Sequence, residues 1–273
     1  MKSIDAFLFN GEIITLLRLK YLFPVVDYFF ISEKRYTYQG KRKDTLFIET
    51  CKEWFYPYIE KCRFIVDESE PYSHSWKNEE THRNSFYTSI KETLQDEEFI
   101  GVVSDADEIP NRLVLDKENY KMLEDGYYIF LTKEYYYNLN WHTTEIPAGT
   151  LFSDKIFNKV DKHTFHILRK WDLSKIDNVP KDFKCKGMIK TSWHLSYFMT
   201  RDEIRRKIES FSHIECNKEE FKTDEHINNC IYKGEDLFKR NWFPPLKPQD
   251  PNEKEFPIEF LQFHSLLQER QKE

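Results

Sequence analysis

The stretch Val102-Val103-Ser104-Asp105-Ala106-Asp107-Glu108-Ile109-Pro110 sets three acids in four positions directly behind an apolar run. Carboxylates repel one another and lose hydration beside apolar chain, so such a cluster calls for a compensating cation. Residues two apart in an extended segment point to the same side, so Asp105 and Asp107 can face one ligand. Hard divalent ions take carboxylate oxygens and complete their shells with water and phosphate oxygens. Asp105 and Asp107 are therefore candidate ligands for Mn²⁺ or Mg²⁺ carrying the phosphates of a nucleotide. The plainer alternative is a solvated turn, with Pro110 opening a helix and the acids favouring its N-terminus. Other phosphate and metal motifs fail on the letters. An EF-hand loop needs Gly at its sixth position, where Pro110 stands. No P-loop pattern occurs, and seven glycines in 273 residues leave little material for a backbone phosphate cradle.

Other constellations offer chemistry. Trp76, Glu79, Arg83, Phe86 and Ile90 recur at spacings of three and four, one stripe of a helix. Phe86 and Ile90 belong to the core, whereas Glu79 and Arg83 form an i,i+4 pair. That pair is either a surface ion pair or a fork in which Glu79 holds Arg83 against a phosphate or ribose. His194, in the aromatic segment "TSWHLSYF", is either a core histidine or a metal ligand. "SFSHIE" (210–215) presents His213 and Glu215 just after a helix. Tyr135, Tyr136, Tyr137 and Trp141 either pack in the core or stack on a sugar.

The elements that must position these groups follow from periodicity. Apolar runs at 4–9, 25–31, 63–66, 99–103 and 127–131 read as strands. The early ones alternate with helical patterns at 12–22, around 47–58 and at 75–94. That alternation predicts an α/β fold with a mixed, mainly parallel central sheet flanked by helices. Later, Thr200-x-x-Glu203 reads as a capping box, a helix from Thr223 stops at Gly234, and 257–270 forms a final helix. Prolines at 244–251 mark a linker, dividing the chain into a catalytic domain (1–243) and a linker with C-terminal helix (244–273).

Charge and cysteine usage narrow the class. The net charge of −6, from 41 basic and 47 acidic residues, argues against a nucleic-acid partner. No apolar run is long enough for a transmembrane segment, and the N-terminus lacks a secretory pattern. The five cysteines never occur as C-x-x-C, which predicts neither disulfides nor a zinc site. The expectation is a reduced, soluble, cytoplasmic chain.

In order, "IDAFLFNGEIITLLRLKYLFPVVDYFFISE", "YQGKRK", "WKNEETHR", "VVSDADEIP", "YYYNLNW" and "SWHLSYF…IRRKIESFSHIE" resemble one family over residues 3 to 240. It is glycosyltransferase family 17, the β-1,4-mannosyl-glycoprotein 4-β-N-acetylglucosaminyltransferases. The resemblance implies a single GT-A (Rossmann-like) domain, a UDP-sugar donor, a glycan acceptor and inversion at the anomeric carbon. It implies that Asp107 ligates the metal, that Asp105 meets the ribose or the metal through water, and that His194 is a further ligand. Glu33, Asn10 and Gly11 would line the nucleotide pocket, and Asp172, Asp154 and Glu215 are candidate bases. A free-standing catalytic domain of this kind is of microbial or viral type. The competing readings are another nucleotide-sugar enzyme, such as a nucleotidyltransferase or pyrophosphatase, and a non-catalytic carbohydrate-binding protein on the same scaffold.

Overall fold

β1 (Lys2–Leu8) is buried almost throughout, because it runs through the middle of a sheet covered on both faces. It pairs in parallel with β2 (Tyr28–Lys34) on one side and β4 (Phe99–Asp105) on the other. β3 (Cys62–Asp67) extends β2, again in parallel. The computed structural model describes residues 1–170, 172–175, 179–180 and 182–272. Among them the sheet runs in the order β3-β2-β1-β4-β7-β6-β8-β5, with β9 (Lys247–Pro248) beside β7. β5 is Glu108–Pro110, β6 Tyr127–Tyr136, β7 Trp141–Ser153 and β8 Cys185–Ser196. The continuous run of parallel pairs thus ends at β4. Beyond it β7 runs antiparallel to both neighbours, and β6 and β8 are parallel to each other. The fold is a mixed α/β arrangement, one sheet flanked by helices.

Helices cover the sheet: α1 (Ile14–Leu22), α2 (Phe47–Thr50), α3 (Ser75–Asn84), α4 (Phe86–Leu94), α5 (Asp154–Phe157), α6 (Arg201–Ser210), α7 (Glu219–Lys222), α8 (Asp224–Lys233) and α9 (Ile258–Arg270). One apolar cluster joins α1 and α9 to the sheet through Leu17, Tyr21, Phe260 and Phe263. A second, on the opposite face, holds Phe86, Ile90, Phe152 and Phe165. A third gathers Tyr136, Tyr137 and Tyr197 with Ile204 and Ile208 of α6 and Ile227 of α8. The Thr200–Glu203 capping box forms, and α8 ends on Gly234 at φ +66, a backbone state that favours glycine.

Three expectations change. The pattern at 47–58 condenses to one α-turn and two 3₁₀ turns, the second with Pro57 in its first turn. The 75–94 helix is two helices, α3 and α4, that meet at Ser85, whose hydroxyl bonds the Ser32 hydroxyl of β2. Pro110 does not open a helix. It ends β5, which pairs with β8 at Glu108↔His194 and Pro110↔Ser192.

Candidate active site

Because β1, β2 and β4 are parallel and in register, their carboxyl ends emerge at one edge, with Leu8 level with both Ser32 and Asp105. In open α/β sheets that edge is where ligands bind. A cavity of about 900 Å³ lies there. Asn10, Trp76, Glu79, Arg83, Asp105, Asp107, His194 and Glu215 all line it.

The acidic loop is built on a guanidinium. Arg18 of α1 is fully buried and forms an ion pair with the equally buried Asp5 of β1. Its Nε and Nη2 donate to the two Asp5 oxygens at 2.8 and 2.6 Å. Nη1 donates to the carbonyls of Asp105 (2.7 Å) and Glu108 (2.9 Å), and Nη2 to the Ser104 hydroxyl (2.6 Å). Nη1 of this rigid fork thus holds the backbone of the turn that carries Asp105 and Asp107, while Nε and Nη2 tie it to Asp5 and Ser104.

The two aspartates then diverge. Asp105 receives Arg83 Nη2 at 2.7 Å and Arg169 Nη2 at 3.4 Å, and Arg83 in turn holds Glu79 at 2.6 Å. Burial opposes the charge on Asp105, but Arg83 and Arg169 outweigh it and hold the carboxyl well below the usual range. Asp107 faces Lys207 Nζ at 2.7 Å and His194 Nε2 at 3.7 Å. Burial opposes ionisation there too, and Lys207 and His194 again overcome it. His194 Nδ1 is buried without a hydrogen bond, although Glu134 Oε1 lies 3.4 Å away.

Some residues singled out from the sequence lie elsewhere. Glu33 is wholly buried and accepts from Lys43 Nζ (2.5 Å) and from the backbone N–H groups of Phe47 and Ile48, so it caps α2 rather than lining the cavity. Gly11, at φ +82, packs its α-carbon against Phe47 and is not part of the lining. Asp154 accepts from Phe99 N and Tyr120 Oη at the amino end of β4, roughly 20 Å of strand away from Asp105. Asp172 accepts from Ser174 and does not line the cavity. Of the three candidate bases, Glu215 alone does. Tyr135 and Tyr137 are buried in the core, and Trp141 Nε1 bonds Ile231 O. Several lining groups were given no role by the sequence: Glu12, Glu134, Arg169, Lys207, Arg240 and Trp242.

The donor set can be tested against a divalent cation. Among the described residues no three His, Cys, Asp or Glu side chains close around one point. Asp105 is taken up by arginines. Asp107 Oδ1 and His194 Nε2 face each other across 3.7 Å on the cavity wall. That pair fits an ion such as Mn²⁺ or Mg²⁺, which accepts one or two protein ligands when phosphates and water supply the others.

A family model for glycosyltransferase family 17 matches residues 1–147, more than half of the 273. No curated protein matches the chain. Similar solved structures include the inositol-1-phosphate CTP transferase from T. maritima (11% identity, TM-score 0.37, covering 71% of this chain and 89% of that one). They also include the mannose-1-phosphate geranyltransferase from Thermus thermophilus (10%, 0.32, 73% and 75%). A third is a glycosyltransferase involved in the glycosylation of the major capsid of PBCV-1 (11%, 0.30, 70% and 83%). No helix among the described residues is long and apolar enough to cross a membrane.

Proposed function

The chain belongs to glycosyltransferase family 17, and from that premise we propose that it moves a sugar, GlcNAc as first choice, from a UDP-sugar to a glycan hydroxyl with inversion. The observation that carries this reading is the meeting of Asp105, Asp107, His194 and Lys207 in one cavity at the carboxyl ends of the parallel strands. Asp107 and His194 would hold a Mn²⁺ or Mg²⁺ ion, which when bound offsets the charge growing on the leaving diphosphate as a Lewis acid. Lys207, pressed toward its charged form by Asp107 and Glu12 against the effect of burial, adds a fixed positive charge beside the same point. Asp105, its carboxylate fixed by Arg83 and Arg169, is oriented to accept from the ribose hydroxyls, with Trp76, Glu79 and Asn10 on the same wall.

The acceptor oxygen bonds to the anomeric carbon as the diphosphate leaves, and its proton passes to a carboxylate of the wall. Most carboxylates there are occupied: Glu12 by Asn10 N–H, Glu79 by Arg83, Glu108 by Arg169. Glu215, bonded by the exposed His213, and Glu134, reached by Ser196 Oγ at 3.4 Å, are the groups proposed for that role.

The test is release of free nucleotide from a panel of UDP- and GDP-sugars, with Mn²⁺ and with EDTA. Release from one UDP-sugar is expected in Mn²⁺, with loss in EDTA and a drop of about 100-fold (about 2.7 kcal/mol) in Asp107→Asn. Equal rates in EDTA would sink the metal's role. No release, together with no thermal stabilisation by UDP and Mn²⁺, would sink the donor site.

A further inference from the structure

The indole of Trp242 is 73% exposed, yet it forms part of the cavity wall. An exposed indole on a cavity wall is a face that a ligand can cover. Its surroundings are rigid. The Arg240 guanidinium lies 5.1 Å from the Trp242 ring centroid, 4.1 Å from Phe243 and 5.4 Å from Phe238. Arg240 is itself anchored by Asp236, which accepts from Nε at 3.0 Å and from Nη2 at 2.6 Å, and it reaches the Tyr136 hydroxyl at 3.4 Å. This corner of the cavity thus holds a cation, Arg240, that Asp236 already meets. It offers aromatic faces and hydroxyls: Trp242, Phe238, Tyr136 and Tyr197.

A flat apolar face ringed by polar groups fits a neutral pyranose, whose axial C–H bonds form one apolar side and whose hydroxyls point outward. The position agrees. Asn10, Trp76, Arg83, Asp105 and Asp107, on the nucleotide side, fall within the 1–147 family match, whereas residues 236–243 lie beyond it. They approach from the antiparallel side of the sheet, packed on Tyr136 and Tyr197.

We propose that Trp242, held by Arg240, is the platform on which the acceptor saccharide stacks. The proposal rests on the transferase reading above and adds the acceptor side to it. Of the four aromatic residues picked out by sequence, Tyr135, Tyr137 and Trp141 are spent on packing, while Tyr136 lines the cavity.

The probes are the methyl β-glycosides of glucose, mannose, galactose and xylose, with wild type, Trp242→Ala and Trp242→Phe. Binding is read by saturation-transfer NMR, and stimulation of nucleotide release by kinetics. At least one glycoside is expected to bind wild type. Trp242→Ala should weaken it at least tenfold, against less than threefold for the sugar-nucleotide constant, and Trp242→Phe should recover most of the loss. Melting temperatures check that both variants fold. Wild-type binding of none of the four, or equal binding by Trp242→Ala, overturns the platform. Failure of the function reading looks different: wild type then releases no nucleotide from any sugar nucleotide, whatever the glycosides do.

Discussion

The two walls of the cavity hold their charges in opposite ways. Behind the parallel wall, polar side chains are locked by buried or nearly buried partners. Arg18 and Asp5 are both fully buried, Glu33 caps a helix from the core, and His82 of α3 is pinned between the hydroxyls of Ser32 (3.0 Å) and Tyr38 (2.9 Å). On the antiparallel wall the pairs are half-open. Arg240 and Asp236 are 22% and 11% exposed, and Trp242 faces solvent. Under the proposed function, a frame that positions a metal and a diphosphate profits from rigidity, because misplacement of charge there costs transition-state stabilisation. A wall that receives a sugar needs exposed faces instead.

Substituting the same side chain on each wall sharpens the contrast. Arg18→Met leaves Asp5 charged and buried and strips the Asp105 and Glu108 carbonyls of their donor. A loss of about 3–5 kcal/mol is expected in urea denaturation. A midpoint equal to wild type would break the comparison at its strongest point.

His82 gives the next effect. Burial pushes its imidazole down to about 3, so it stays neutral in the fold while the unfolded chain takes up a proton near pH 6.5. Because the folded pKa is depressed, stability from this site is complete above about pH 6.5 and falls by about 1.4 kcal/mol per unit as pH drops toward 3. His82→Gln should show an acid slope shallower by about one proton between roughly pH 6 and 4. An unchanged slope would mean that this histidine titrates alike in both states.

Arg240→Met is the smallest. Its pair is partly solvated, so a cost of only about 1 kcal/mol is expected, read in the same denaturation experiment. A loss as large as that of Arg18→Met would erase the difference between the walls.

How much was legible follows the same division. β1, β2 and β4 stand out through nearly unbroken apolar runs, because parallel strands in the middle of a covered sheet are buried on both faces. β7 and β8, long and antiparallel or mixed, carry alternating and polar stretches such as Trp141–Glu145 and Cys185–Lys190, and no run betrays them. The acidic cluster was visible because its residues are adjacent in the chain. Its partners were not. Arg169 meets Glu108 across 61 positions, Lys207 meets Asp107 across 100, and Arg240 meets Tyr136 across 104. Arg18 sits among leucines of α1 and carries no local sign that it is a buried clamp.

By itself, then, the order of residues determined the strand–helix alternation, the helix caps at Thr200 and Gly234, and the acids that close β4. Each of these rests on neighbours within a turn or a strand, where periodicity and capping operate. Tertiary structure alone decided which cation answers which acid, which tryptophan is covered and which is left open, and that Asp105 and Asp107 serve different partners. Those outcomes depend on distances between segments far apart in the chain, and such distances exist only once the sheet has brought them together.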